Sequence, residues 1–288
     1  MIRKILIFCA LIIQISCSQN HSESGKPVIT VSIAPYKYFI DQIAGNDFEV
    51  NVMVAPGSNP HIYEPYPVQV AKLRKSVAYI SNGYLGFETT WLDRFYEMNE
   101  KMVRLSLADK IEPIASSHHH SDNEDVEGAD PHYWVSPKAA LIIAESVEKL
   151  LVSLNPDRKN FYSANLSVLN DKINRTDSLA TELFSKLKNK AFMIYHPNLA
   201  YLARDYGLRE IPVEFEGKEP PPSRMKELID LAKKENINTI FVQKEYDAKN
   251  ARAIASEINA QVEIIDPLAE DWQQAVNEII TSVYKSMQ

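Results

Sequence analysis

Between Pro156 and Lys190 the chain has no glycine and no second proline, and Phe161, Leu166, Leu169, Ile173, Leu179, Leu183 and Leu187 recur at helical spacing. No other stretch constrains the fold as much. As one helix at ~1.5 Å per residue it spans roughly 50 Å, longer than a small domain, and is expected to cross from one lobe to another. An unseen break would make it two helices. On both sides, short β-branched runs alternate with helical segments. Before it come strands at Val28–Ile33, Phe48–Val54 and Val77–Ile80, with helices at Tyr36–Ala44 and Val68–Lys75. After it come strands at Ala191–Tyr195, Glu210–Val213, Thr239–Gln243 and Val262–Ile265, with helices between them. This alternation predicts an α/β class with largely parallel sheets, in two lobes at 28–155 and 191–288 joined by a linking helix at 156–190.

The first seventeen residues differ in composition from the rest. Arg3 and Lys4 precede the apolar run Ile5–Ile13, which is shorter than the ~20 residues of a spanning helix and fits a signal-peptide core. Ser16-Cys17 follows, and the segment resembles a bacterial lipoprotein signal in which Cys17 is acylated. An ordinary secretory signal is the alternative. Residues 18–27 read as a polar tether. The chain has two cysteines, Cys9 and Cys17; removal of 1–16 and acylation of Cys17 would leave no thiol for a disulfide or a metal. Any metal site must then be built from histidine and carboxylate. The formal charge of −7 gives no basic excess for nucleic acid.

Seven histidines are present. His118, His119 and His120 lie in the polar stretch 115–130, read as a surface loop with room for weak metal collection or for no role at all. His61 sits in a loop with four prolines between Ala55 and Pro67, His132 follows Asp130-Pro131, and His196 follows the apolar strand and precedes Pro197. Asp266 follows the strand Val262–Ile265 and precedes Pro267. In open α/β sheets ligand groups gather past the carboxyl ends of strands, where His196 and Asp266 fall. Three imidazoles and a carboxylate make a set suited to Zn²⁺. Taken singly, each residue also reads as a surface histidine or a turn-forming aspartate.

The strings PGSNPHIYEP (Pro56–Pro65), DPHYWVSP (Asp130–Pro137), YHPNLAYLARDYGL (Tyr195–Leu208), GKEPPPSRMKELI (Gly217–Ile229) and IIDPLAED (Ile264–Asp271) stand in this order along the chain. Together they resemble the signatures of cluster A-I metal-binding solute-binding lipoproteins of ABC transporters, the adhesin B or TroA-like family. The resemblance implies two α/β lobes joined by one long backbone helix, with a metal in the cleft between them. It implies His61 and His132 as first-lobe ligands and His196 and Asp266 as second-lobe ligands. Histidine at the third position favours zinc over manganese. The implied function is a zinc receptor, not an enzyme, delivering the ion to an ABC permease. A monomer is expected, exported to the cell envelope and lipid-anchored through Cys17. Alternatives at this point are a manganese-type receptor, a secreted zinc hydrolase or a metal-stabilised adhesin. Imidazole must be neutral to ligate, so such a site is expected to lose its ion as pH falls towards ~6.

Overall fold

The structure, a computed structural model, describes residues 25–115, 128–214 and 218–288. The first lobe holds β1 (Val28–Val31), β2 (Glu49–Val52), β3 (Ser76–Ser81) and β4 (Val103–Ser106) in the order β2-β1-β3-β4. The second holds β5 (Ala191–Ile194), β6 (Arg209–Pro212), β7 (Thr239–Gln243) and β8 (Gln261–Ile265) in the order β6-β5-β7-β8. Every pairing is parallel, and the two sheets repeat one topology. In both, the chain moves from its first strand to one neighbour and returns to the other side. That places a switch point, the usual ligand crevice, beside β1 in one lobe and β5 in the other.

The helices are α1 (Ala34–Ala44), α2 (Pro67–Leu73), α3 (Gly86–Met98), α4 (Pro137–Leu154), α5 (Lys159–Ser185), α6 (Ala200–Tyr206), α7 (Pro222–Lys234), α8 (Lys249–Ile258) and α9 (Trp272–Ser286). The long element is α5. It is shorter than the stretch 156–190 because Pro156–Arg158 winds as a 3-10 turn and the helix closes at Lys186. Nothing in the composition marks either end beyond Pro156, which suits a first helical turn. At 27 residues α5 is roughly 40 Å long. It packs on α1 and α4 of the first lobe and on α6 and α9 of the second. Strand β6 ends in Pro212, which a central strand would not accept; β6 lies at the sheet edge, where the missing N–H costs no ladder bond.

One apolar core runs through both lobes, from Ile29, Phe39 and Tyr79 to Phe241, Trp272 and Ile280. Two indoles knit it together. Trp134, 1% exposed, donates from Nε1 to Pro267 O at 2.8 Å, and Trp272, also 1% exposed, donates from Nε1 to Trp134 O at 2.6 Å. The rings of Phe39 in α1 and Trp272 in α9 lie 5.4 Å apart, centroid to centroid. Among the described residues no helix is long and apolar enough to cross a membrane.

Candidate metal centre

His132 is set by the end of β3. Asn82, fully buried, donates from Nδ2 to Pro131 O at 3.0 Å and to Tyr36 Oη at 2.7 Å, while Tyr133 Oη donates to Asn82 O at 2.6 Å. The turn that carries Asn82 rests on Glu88, whose carboxylate accepts from Asn82 N at 2.8 Å, from Gly83 N at 2.6 Å and from Ser32 Oγ. Burial pushes the Glu88 carboxyl above its ordinary range against these donors. Immediately after His132 the chain turns and enters α4, where Ser136 Oγ accepts from Lys138 N and Ala139 N as the N-cap.

His61 is carried by the proline-rich loop, and its backbone N–H donates to Asn59 Oδ1 at 2.8 Å. The loop lies on the first turn of α3, where Phe87 N donates to Pro60 O at 3.3 Å. Contact there is close enough that a Cβ on Gly86 would sit 2.3 Å from His61 O, so glycine is what lets the ligand loop seat.

His196 follows β5 at the second switch point. Gln243, the last residue of β7, clamps its backbone from both sides: Gln243 Nε2 donates to His196 O, and His196 N donates to Gln243 Oε1 at 3.4 Å. Two residues on, Glu210 Oε1 accepts from Asn198 N at 3.1 Å and Leu199 N at 2.8 Å. The Tyr246 ring stacks on the His196 ring at 4.7 Å and 16°, and its hydroxyl bonds to the Asn59 side chain, so one tyrosine touches the ligand loops of both lobes.

These supports bring three ring nitrogens together. His61 Nε2 lies 3.2 Å from His132 Nε2 and 3.1 Å from His196 Nε2. All three ligand atoms fall within 4.8 Å of one another. Donors bound at ~2.0–2.1 Å to one tetrahedral ion lie about 3.3 Å apart, so the spacing is that of a zinc-type site. The outer nitrogens are oriented by carboxylates: His132 Nδ1 pairs with Asp130 Oδ1 at 2.9 Å, and His196 Nδ1 pairs with Glu214 Oε2. A carboxylate accepts, so Nδ1 carries the proton and Nε2 presents its lone pair to the ion. Burial opposes ionisation of Asp130, but the electrostatic attraction of the His132 ring and the two hydrogen bonds from that residue outweigh it and hold the carboxyl below its usual range. Free space among the imidazoles is about 10 Å³, enough for one ion or water and far below what an organic substrate needs.

The structure does not bring Asp266 into this group. Its Oδ2 accepts from Lys244 Nζ at 3.2 Å, with the carboxylate side chain 35% exposed, and it lines a neighbouring cleft with Ile33, Gly57 and Glu270. Lys244 and Asp266 stand just past the ends of the paired strands β7 and β8, where they form an exposed ion pair. The acidic side chain that does line the histidine cavity is Glu245. Partial burial, with the Asp266 charge nearby, pushes its carboxyl up to about 7. Cys17 and His118, His119 and His120 lie outside the described residues. The feet of the loop at 115–130 are described: Ala115 and Ala129 form an antiparallel bridge, and Tyr201 Oη donates to Asp130 O at 2.9 Å. Sequence reasoning missed the supporting set, namely Asn59, Gln243, Tyr246, Glu214 and Asp130. Only Asp130 left a trace, two residues before His132.

Burial raises the Glu210 carboxyl from 4.5 to about 8. Between those values the folded protein holds a proton that the unfolded chain has released, so this group costs stability as pH rises through the window. Glu210→Gln keeps a carbonyl acceptor for Asn198 N and Leu199 N and removes the titration. The variant is expected to show a flatter melting temperature from pH 5 to 8, with a gain of roughly 1–2 kcal/mol over the parent at pH 8. Thermal unfolding of zinc-free protein across that range checks it; parallel curves would place the proton elsewhere.

A family model described as the periplasmic component A of the zinc-uptake complex matches residues 29–286. A crystal structure of ZnuA superposes with a TM-score of 0.85 at 36% identity, covering 91% of this chain and 100% of that one. A zinc-bound ZnuA in which residues 138–173 of that protein are deleted gives 0.84 at 36%, covering 91% and 98%. The zinc-binding lipoprotein AdcA of Streptococcus pneumoniae is 27% identical over 270 residues, which is 90% of this chain and 53% of that protein. The chain thus spans about half the length of the streptococcal relatives it matches. The laminin-binding adhesin Lmb of Streptococcus agalactiae, at 23% identity and a TM-score of 0.78, shares the fold.

Proposed function

We propose, from the premise that this chain belongs to the family of periplasmic zinc-uptake component A, that it is a receptor which captures Zn²⁺ outside the cytoplasmic membrane and hands it to an ABC permease. The observation that supports this best is the convergence of three Nε2 atoms, from His61, His132 and His196, at zinc-ligand spacing across the two lobes. Zinc is the cargo and no bond is made or broken. Imidazole donors favour Zn²⁺ over Mn²⁺, which prefers oxygen. The cavity among the imidazoles, about 10 Å³, is the size of an ion and not of an organic substrate. The basic start, short apolar run and Ser16-Cys17 support export and lipid anchoring through Cys17, with the binding domain working as a monomer at the cell envelope.

Elemental analysis of protein purified without added metal tests the reading, together with growth of a deletion strain. About one zinc per chain and a growth defect under zinc limitation, cured by excess zinc, are expected. Manganese as the bound metal, or normal growth under zinc limitation, would overturn it.

A further inference from the structure

In a parallel sheet the N–H and C=O of alternate residues turn away from an edge strand, and the four sheet edges of this protein treat these groups differently. On β2, Glu49 N bonds inward to Pro27 O and Met53 N to Val31 O, which leaves Val52 facing out; its carbonyl accepts from Gln69 Nε2 of α2 at 3.0 Å. On β6, Arg209 N and Val213 N bond inward, and the outward residue Pro212 has no N–H to offer. On β4, Leu107 N bonds inward to Ser81 O, and the outward residue Arg104 carries a charge, its guanidinium 4.1 Å from the centre of the Tyr96 ring. Strand β8 has no such device. Gln261 N donates to Asn238 O and Ile265 O accepts from Lys244 N, so the peptide groups of Val262 and Ile264 turn outward. This edge is the longest, five residues against four, it holds no proline, and Ile264 is 54% exposed.

Beside this edge a groove of about 530 Å³ runs between β8 and α9. Ile265 and Ile279 contribute apolar lining, and Glu263, Asp266, Asp271 and Glu278 contribute carboxylates, with no lysine or arginine among the lining residues. Lys244 neutralises Asp266; among the described residues Glu263, Asp271 and Glu278 have no ion-pair partner. These three charges select the occupant. A second copy adding its own β8 would set like charges against each other. Outside the described residues the chain has Arg3 and Lys4 as its only lysine or arginine, both in the expected signal segment, so it holds no cationic strand of its own to lay there. An extended cationic segment from another protein suits every part of the surface. Its backbone can bond the outward groups of Val262 and Ile264, and its basic side chains, on one face of the added strand, meet Glu263 and Glu278.

We propose that the β8 edge and its groove are a docking surface for an extended, lysine- or arginine-bearing segment of a partner protein, which adds to the second sheet as a fifth strand. The surface is separate from the three imidazoles, and the inference does not depend on which ion they hold.

The test titrates the full chain into a fluorescently labelled peptide, acetyl-KVKVKVK-amide, and reads anisotropy. Saturable binding that weakens as salt is raised is expected, with acetyl-EVEVEVE-amide left unbound. Ile264→Pro removes one outward N–H and the exposed side chain without touching the ladder to β7, and is expected to weaken binding about tenfold or more. Glu263→Gln combined with Glu278→Gln is expected to weaken it about fivefold, as the loss of two exposed charge pairs would. The peptide acetyl-KVKPKVK-amide keeps every charge but lacks a central N–H, and is expected to bind about tenfold less tightly or worse. Absence of binding by the first peptide, or parental binding in either variant, would overturn the proposal. Equal binding of the proline peptide would overturn strand addition and leave only a charged surface. A concentration-dependent dimer of the parent in sedimentation, lost in Ile264→Pro, would give the edge to a second copy and overturn the proposal as well. Melting temperature and zinc affinity of the variants, expected to match the parent, separate a lost surface from a lost fold; if Ile264→Pro does not fold, the double glutamine variant carries the test.

Discussion

Replacing His61 by alanine is expected to weaken zinc binding more than about 100-fold while leaving the zinc-free protein folded. The magnitude follows from comparison: loss of a partner that only orients a ligand costs ~10–100-fold, and loss of a donor atom costs more. His61 is the most informative of the three because it is the least buried and its nitrogen lies within 3.2 Å of both others. Its side chain is held by a loop whose seating depends on backbone contacts, Asn59 Oδ1 to His61 N and Pro60 O to Phe87 N, which alanine preserves. His196→Ala should cost as much affinity but also removes the Nδ1–H that Glu214 accepts, so its melting point would move too. Chelator competition on His61→Ala decides the matter; parental affinity would mean that the three nitrogens do not form the site.

The largest effect on stability is expected from Trp272. The indole is 1% exposed, packs 5.4 Å from the Phe39 ring across the lobe boundary and donates to Trp134 O at 2.6 Å. Trp272→Ala removes the ring and leaves a buried carbonyl without its donor. Such truncations cost ~3–5 kcal/mol. For a chain of this size each kcal/mol moves the melting temperature by ~2–4 °C, so a fall of roughly 10 °C is expected in the zinc-free protein. Trp272→Phe keeps most of the packing and loses the hydrogen bond, with an expected cost of ~1–2 kcal/mol. A fall of less than about 2 °C for the alanine variant would show that the indole pair does not brace the lobes.

Much of this architecture is legible in the residues. Strands β5 and β7 announce themselves through apolar runs, and α5 through the absence of helix breakers. His196 was placed by a rule about strand ends that β5 obeys. What escaped is geometry that needs two remote segments at once. Glu214 reaches His196 from 18 residues away because two parallel strands end side by side, and no local pattern marks that pairing. The partner of Asp266 escapes for the same reason: its strand-end position is legible, but the lysine that engages it stands past the neighbouring strand, and only pairing of β7 with β8 puts the two in reach. Gln243 reads as the polar end of a strand until its amide is seen on both sides of the His196 peptide. Helix α5 is shorter than the breaker-free stretch because a 3-10 turn at its start and the backbone bonds of Lys186 and Leu187 that close its end leave no compositional mark.

The meeting of His61 with His196 has a consequence for the chain as a polymer. The two are 135 residues apart in sequence, one from each lobe. An ion held by both closes that whole interval into a ring, as a disulfide would, in a protein whose two cysteines, Cys9 and Cys17, both precede its first strand. Closing a loop of about a hundred residues removes several kcal/mol of freedom from an unfolded chain that stays cross-linked. A metal differs from a disulfide in that it leaves when the chain unfolds, so its contribution is set by supply, ~4 kcal/mol when free ion stands a thousandfold above its dissociation constant. On the proposed function, cargo would therefore also be a reversible staple. The receptor would be most resistant to proteolysis while loaded and least resistant just after it has delivered its ion.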